Sequence, residues 1–117
     1  MANINELQRI STQVRRDIIR MVTNAKSGHP GGSMSSADFI TALYFEVMKH
    51  DPATWTRQGK GQDVFILSAG HLTPMYYSIL SRAGYFPTSE LSTFRLLGTR
   101  LQGHPCIETG LAGIVQA

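Results

Sequence analysis

The chain of 117 residues has room for one domain and excludes a second. Apolar residues make up 42% and charged residues 16%, a balance that excludes a disordered or fibrous protein. The net charge is +3, and the eleven Lys and Arg residues are scattered along the chain without forming a basic stripe, which argues against nucleic acid as a partner. With a single cysteine, no signal peptide and no apolar run near the roughly 18 residues of a membrane span, we expect a cytoplasmic protein without a membrane partner.

A first amphipathic helix is predicted over residues 4–25, where apolar residues recur every three to four positions. Asn3 followed by Glu6 is typical of a capped helix N-terminus. Residues 27–32 read Ser-Gly-His-Pro-Gly-Gly and cannot continue this helix. We therefore expect a glycine-rich loop there.

A second helix is predicted to begin at the potential cap formed by Ser35 and Asp38. It is expected to end at residues 51–62, which lack hydrophobic periodicity and are predicted to form a solvent-exposed loop. Trp55 is expected to anchor this loop by packing against the rest of the molecule. His50, at the end of this helix, is expected to have a structural role because a cation is favoured there by the helix dipole.

A buried strand followed by a tight turn and a third helix is predicted next. Residues 64–67 are a short continuous apolar run, which is typical of a strand in a parallel sheet, and residues 68–71 end it with Ser-Ala-Gly-His. Thr73 is the expected cap and Pro74 the first helical position of a helix through residues 75–83.

The remaining chain predicts one more helix and one more strand. The helix is expected over residues 89–97, between a cap at Thr88 and a stop at Gly98. After a loop, residues 111–115 look like the beginning of a strand. The pattern therefore indicates an α/β chain that is rich in helix, with one or two parallel strands, and incomplete as a sheet.

Three of the four histidines follow a glycine, namely His29, His71 and His104. Glycine lets the backbone bend sharply near a ligand, and imidazole exchanges protons near neutral pH. His71 lies just past the predicted strand, where open α/β sheets place ligands, and the other two precede proline, which stiffens their loops. These histidines are candidate catalytic residues, although single loop histidines more often serve as helix caps or lie in solvent.

Other site types fit the sequence less well. The three histidines lack the spacing of common metal sites and have no acidic neighbour, so no metal ligand is predicted. Residues 28–32 resemble a phosphate cradle but lack the Lys-Ser/Thr ending of a P-loop. Arg95 is a candidate phosphate clamp near His104, with a solvated surface arginine as the alternative.

Several motifs resemble, in order, the N-terminal motifs of transketolase. Residues 26–32 read Lys-Ser-Gly-His-Pro-Gly-Gly, and residues 65–71 read Phe-Ile-Leu-Ser-Ala-Gly-His. Residues 94–95 are Phe-Arg, and residues 101–105 read Leu-Gln-Gly-His-Pro. The closing stretch 108–115 is most similar to the split type, whose N-terminal half is a separate polypeptide.

The resemblance implies the N-terminal part of a thiamine diphosphate-binding doubly wound domain, with residues 1–117 as its opening segment. It implies an enzyme of the pentose phosphate pathway that transfers a two-carbon ketol unit between sugar phosphates. The implied cofactors are thiamine diphosphate and Mg²⁺. The implied partners are sugar phosphates and a C-terminal transketolase subunit, within a homodimer or heterotetramer.

The resemblance also implies roles for individual residues. His29 would contact the reacting end of the donor sugar, and His71 would lie beside the cofactor's diphosphate and the substrate. His104 would hydrogen-bond substrate hydroxyls, and Arg95 would bind the terminal phosphate of the sugar.

The chain also departs from the family pattern. Ala69 replaces the commoner Asn or Lys, and the chain ends before the Gly-Asp-Gly motif that holds Mg²⁺ and the diphosphate. We therefore expect the isolated chain to be inactive. Two alternatives are another thiamine diphosphate enzyme, similar to deoxyxylulose phosphate synthase, and a non-catalytic interaction module.

Overall fold

A computed structural model describes residues 3–115. Its regular elements are three α-helices, of which the second continues as a π-helical turn: α1 Ile4–Ala25, α2 Pro30–Ala42 with the π-helical turn Leu43–Val47, and α3 Thr73–Arg82. Short 3₁₀ turns lie at Gly70–Leu72, Thr88–Thr93 and Ile107–Thr109. No β-strand forms within residues 3–115.

The prediction for α1 is confirmed. The side chain of Asn3 accepts a hydrogen bond of 2.8 Å from the backbone N–H of Glu6, which satisfies one of the free donors of the first turn. The helix ends at Lys26, whose backbone is left-handed with φ 54°.

The predicted start of α2 at Ser35 is wrong. The helix begins five residues earlier at Pro30, because proline has the φ of a first helical position and needs no partner for a missing N–H. The Ser35 hydroxyl donates to the Gly32 carbonyl inside the helix instead of capping it. The glycine-rich loop is therefore shorter than predicted and ends at His29.

The second helix also ends earlier than predicted, with the π-helical turn at Val47. The His50 ring then returns to this end: Nε2 donates to the Tyr44 carbonyl at 2.7 Å, and Nδ1 shares a hydrogen bond of 2.6 Å with the Tyr85 hydroxyl. Trp55 lies edge-on against Tyr85, with ring centroids 6.2 Å apart. The predicted packing of Trp55 is confirmed. His50 is structural as predicted, but through these hydrogen bonds rather than at a helix end, because the helix ends at Val47.

The predicted strand at residues 64–67 is wrong for the described chain. A strand exists only where a neighbour completes its backbone hydrogen bonds, and residues 3–115 present no paired strand beside this segment. Its side chains nevertheless alternate, with Leu67 6% exposed in the core and Ile66 63% exposed on the outside.

The predictions for the last third are corrected as well. In place of a helix over residues 89–97, one 3₁₀ turn ends at Thr93, and Arg95 then takes the left-handed φ of 59°, which ends any helix. The predicted strand at residues 111–115 is a turn around Gly113, although Leu111 and Ile114 are fully buried.

The three helices pack together around one core in which α3 is the most buried element. Buried Asp17 of α1 accepts hydrogen bonds from Ser78 at 2.8 Å and from Arg82 at 2.9 Å. Buried Ser33 of α2 accepts one from the backbone N–H of Met75. In the described part of the chain, every helix is too short or too polar to cross a bilayer.

Candidate active site

Two of the candidate histidines are in direct contact. His29 is the residue before α2, and His71 lies in the 3₁₀ turn before α3. Their imidazole rings meet edge to face, with centroids 5.2 Å apart. Both side chains are exposed, so their ring nitrogens are open to a ligand.

His104 joins this pair through Gly70. A Cβ placed on Gly70 would lie 2.5 Å from Nδ1 of His104, a distance that no real side chain tolerates. Only glycine therefore lets the His104 ring lie on the backbone beside His71. The structure brings all three predicted histidines to one face of the molecule.

Arg95 lies on the far side of the His104 loop. A Cβ on Gly103 would lie 2.7 Å from Nη1 of Arg95, so the guanidinium packs on the backbone of the residue before His104. The backbone N–H of Arg95 donates to the Leu101 carbonyl at 2.9 Å, which closes the intervening turn. Arg95 lies in this turn and outside any helix, contrary to its predicted helical position.

A cavity of about 650 Å³ opens beside this loop, with the Arg95 guanidinium and the exposed His104 imidazole in its wall. The remaining polar side chains of the wall are Gln102, Glu108 and Thr109. The Arg95 guanidinium suits an anionic group and the hydroxyl, amide and imidazole groups suit ligand hydroxyls, whereas the Glu108 carboxylate repels an anion at its part of the wall. Gln102 lies in the motif of residues 101–105, and Glu108 and Thr109 lie in the stretch 108–115, but neither pattern indicates a role for these side chains.

A larger cavity of about 740 Å³ lies between α1 and the 3₁₀ turn Thr88–Thr93 and contains none of the predicted site residues. Within residues 3–115, no three His, Cys, Asp or Glu side chains are placed to hold a metal ion.

Two residues that hold the site were not recognised from the sequence. The hydroxyl of Thr73 donates to the Gly103 carbonyl at 2.8 Å, and that of Tyr77 donates to the Gln102 carbonyl at 2.6 Å. Thr73 was predicted as the cap of α3, but Leu72 occupies that position. The one usable signal was their spacing of four residues, which places both on one face of a helix that begins directly after Gly-His.

The comparisons with known proteins agree with one another. The family described as "Transketolase, thiamine diphosphate binding domain" matches residues 7–115. The transketolase of Buchnera aphidicola subsp. Acyrthosiphon pisum is 41% identical over 104 residues, which are 86% of this chain and 15% of that protein. One subunit of the apulose-4-phosphate transketolase of Actinobacillus succinogenes is 34% identical over 86% of this chain and 36% of its own length.

Solved structures give the same result for the fold. The Campylobacter jejuni transketolase superposes with a TM-score of 0.81 at 34% identity, over 92% of this chain and 17% of that one. The Leishmania mexicana transketolase superposes with a TM-score of 0.78 at 34% identity, over 90% of this chain and 15% of that one. The chain thus spans between about a seventh and about a third of the length of these relatives.

Proposed function

The chain belongs to the transketolase thiamine diphosphate-binding family, and on that premise we propose that it is the N-terminal segment of a transketolase. In this proposal, residues 1–117 open a doubly wound α/β domain whose sheet is completed by further strands. The complete enzyme transfers a two-carbon ketol unit from a ketose phosphate to an aldose phosphate in the cytoplasm, as part of the pentose phosphate pathway.

The observation that carries the proposal is the meeting of the three Gly-His loops. His29 and His71 are in ring contact, and His104 lies on the backbone of Gly70. These loops are separated by more than 30 residues in sequence, and each is exposed. A purely structural role explains one such histidine, but three exposed imidazoles on one face support a ligand site.

The residues present fit the substrate side of a thiamine diphosphate site. Thiamine diphosphate supplies, when bound, the electron sink that lets a carbon–carbon bond of the sugar break. Following the family resemblance, we assign His71 to the diphosphate, and its exposed imidazole is able to hydrogen-bond phosphate oxygens. The chain provides no cluster of oxygen ligands for Mg²⁺ within residues 3–115, so we assign the metal's ligands to the remainder of the enzyme.

The other residues orient the sugar. His29 donates to, or takes a proton from, an oxygen at the reacting end of the donor, and His104 hydrogen-bonds the hydroxyls that follow. Arg95, at the cavity wall beyond His104, pairs with the terminal phosphate. In this proposal the carbonyl end of the donor faces His29, its hydroxyls face His104 and its terminal phosphate faces Arg95.

We also propose that this chain has a partner polypeptide. One relative is, by its name, a single subunit of its transketolase, and this supports a separate C-terminal subunit for the present chain. The complete assembly is then a homodimer or a heterotetramer. Residues 3–115 present no ligand cluster for Mg²⁺, so we expect thiamine diphosphate with Mg²⁺ to leave the melting temperature of the isolated chain unchanged.

The function is tested in a chimeric enzyme, in which residues 7–115 of this chain replace the superposed segment of the Campylobacter jejuni transketolase. This chimera is called the exchanged enzyme. We expect the exchanged enzyme to transfer ketol units between sugar phosphates. His29→Ala and His104→Ala should each lower kcat/KM by about 100-fold. Arg95→Ala should act mainly by raising KM, because it removes a phosphate contact.

The matched control is His50→Gln, because His50 binds Tyr44 and Tyr85 and lies outside the proposed site. It should leave kcat/KM within about twofold of the exchanged enzyme. If a folded exchanged enzyme condenses pyruvate but transfers no ketol unit, the proposed function is wrong. The alternative of an enzyme similar to deoxyxylulose phosphate synthase then holds. If the three site variants equal His50→Gln, the chain is a non-catalytic module.

A further inference from the structure

The loop that carries His104 is held by two hydroxyl groups of α3. Thr73 Oγ1 donates to the carbonyl of Gly103 at 2.8 Å, and Tyr77 Oη donates to the carbonyl of Gln102 at 2.6 Å. A carbonyl oxygen only accepts, so both hydroxyls must be donors. Two successive carbonyls before His104 are therefore fixed to one helix.

Both donors are parts of the buried face of α3. Thr73 and Tyr77 are fully buried and lie four residues apart, one turn of helix above the other. Burial raises the pKa of the Tyr77 hydroxyl, so that it keeps its proton and remains a donor across the physiological range. The Tyr77 hydroxyl is therefore able to donate to the Gln102 carbonyl throughout this range.

The same helix also supports His71. The 3₁₀ turn Gly70–Leu72 runs directly into α3 at Thr73, so His71 and the two donors belong to one continuous element. Gly70 contributes the backbone on which the His104 ring lies. Any shift of the His104 loop relative to α3 would therefore change the spacing between the two imidazoles.

We propose that Thr73 and Tyr77 are positioning residues whose hydroxyls hold the His104 loop in register with His71. The structural part of this proposal stands alone, and its consequence for ketol transfer rests on the proposed function. Neither hydroxyl touches the exposed face, so both residues act through His104 rather than on substrate.

The variants that test this are Tyr77→Phe and Thr73→Val, which remove each hydroxyl and keep the side chain's volume. Tyr76→Phe is the matched control. Tyr76 is the neighbouring tyrosine of α3, is equally buried, and donates to the carbonyl of Gly113 at 3.2 Å. Tyr76→Phe therefore removes a buried hydroxyl that bonds the Gly113 carbonyl and the Tyr44 hydroxyl, without touching the His104 loop.

The first readout is nuclear magnetic resonance of the histidine rings in the 117-residue chain, with each ring assigned by single His→Gln variants. We expect Tyr77→Phe and Thr73→Val to shift or broaden the His104 ring signals while His50 stays unchanged. Tyr76→Phe should leave the His104 signals at their original positions. Equal His104 signals in all three variants and the parent would overturn the proposal.

The second readout is ketol transfer by the exchanged enzyme. Each positioning variant should lower kcat/KM about fivefold, mainly through KM, because one neutral hydrogen bond is lost and His104 is misplaced toward the sugar hydroxyls. If the positioning variants lose no more kcat/KM than Tyr76→Phe does, the proposed consequence for ketol transfer is overturned. If the His104 signals move but His104→Ala itself has full activity, the proposed function fails and the positioning stands.

Discussion

Two irregular regions of the chain are held in place differently: the histidine face, formed by the loops that carry His29, His71 and His104, and the segment of residues 49–68. Each loop of the histidine face contacts another through a ring, a glycine backbone or a hydroxyl of α3. The segment 49–68 closes on itself through mutual hydrogen bonds between Lys49 and Asp63, and its Val64 and Ile66 remain 50% and 63% exposed.

The difference teaches that a loop is ordered by what it contacts rather than by its own sequence. The histidine loops adopt one arrangement because α3 offers donors and the glycines permit close approach. The apolar run at residues 64–67 has strand composition but gains only one packed face from the helices, through Phe65 against Tyr44 and through Leu67. Four predictions test which contacts hold the chain together, in order of decreasing change in the free energy of unfolding.

The largest effect is expected from Asp17→Ala, which frees α3 from α1. Asp17 is 4% exposed and pairs with Arg82 through two bonds of 2.9 Å, so its loss leaves a partly buried guanidinium without its partner. The free energy of unfolding should fall by about 3 kcal/mol. Urea denaturation measures this.

Its control is Glu90→Ala, which breaks a more exposed pair with Arg100 and should cost less than about 1 kcal/mol. Equal losses for the two variants would mean that α3 is not anchored at Asp17.

The next effect separates the two faces of residues 64–67. Leu67→Ala should lower the free energy of unfolding by about 2 kcal/mol, because it opens a cavity in the core. Ile66→Ala, one residue away on the exposed face, should change it by less than about 0.5 kcal/mol. Similar costs at both positions would contradict the alternation of buried and exposed side chains.

A smaller effect, of opposite sign, is expected at Arg95. Its φ of 59° costs a residue with a Cβ about 1–2 kcal/mol, whereas the added freedom of glycine in the unfolded chain costs about 0.5–1 kcal/mol. Arg95→Gly should therefore raise the free energy of unfolding by about 0.5–1 kcal/mol and still raise KM in the exchanged enzyme.

Arg95→Ala keeps the strained φ and should raise KM without adding stability. If Arg95→Gly also lowers the melting temperature, the guanidinium stabilises the fold and is not reserved for a ligand.

The smallest effect is a pH dependence at Asp38. Hydrogen bonds from the Arg15 guanidinium and the Ser11 hydroxyl lower the pKa of Asp38 from 3.8 to about 2. Because the folded pKa lies below the ordinary value, the stabilisation is complete above about pH 5 and is lost as pH falls toward about 2. Asp38 is 74% exposed, so the contribution is below about 1 kcal/mol.

Asp38→Asn should remove this part of the pH dependence when urea midpoints are compared between about pH 5 and about pH 2. A parallel decline in the variant and the parent would assign the effect to other carboxylates.

The helices α1 and α3 were predictable because their signals are local, whereas the helix predicted over residues 89–97 is only a 3₁₀ turn that ends at Thr93. Periodicity gave α1 with its cap at Asn3, and α3 to within one residue of its end at Arg82. The start of α2 was misjudged because Pro30 competes with the more familiar cap at Ser35. The strands failed for a different reason: a strand depends on a neighbour, and nothing within residues 64–67 specifies whether one is present.

The site was predictable only in part. The repeated Gly-His pairs identified His29, His71 and His104 as candidates, since glycine before a histidine is a local pattern. Their proximity depends on packing between distant segments. The spacing of Thr73 and Tyr77 places them on one helix face but does not indicate that this face contacts the His104 loop.

The central claim is that the histidines form one site, and a double-mutant cycle on kcat/KM of the exchanged enzyme tests it most directly. Neighbours that act on one substrate are coupled, so His29→Ala and His71→Ala should deviate from additivity by about 0.5–3 kcal/mol. His29→Ala with His50→Gln should add within about 0.5 kcal/mol. Strict additivity of the His29 and His71 variants would contradict the account.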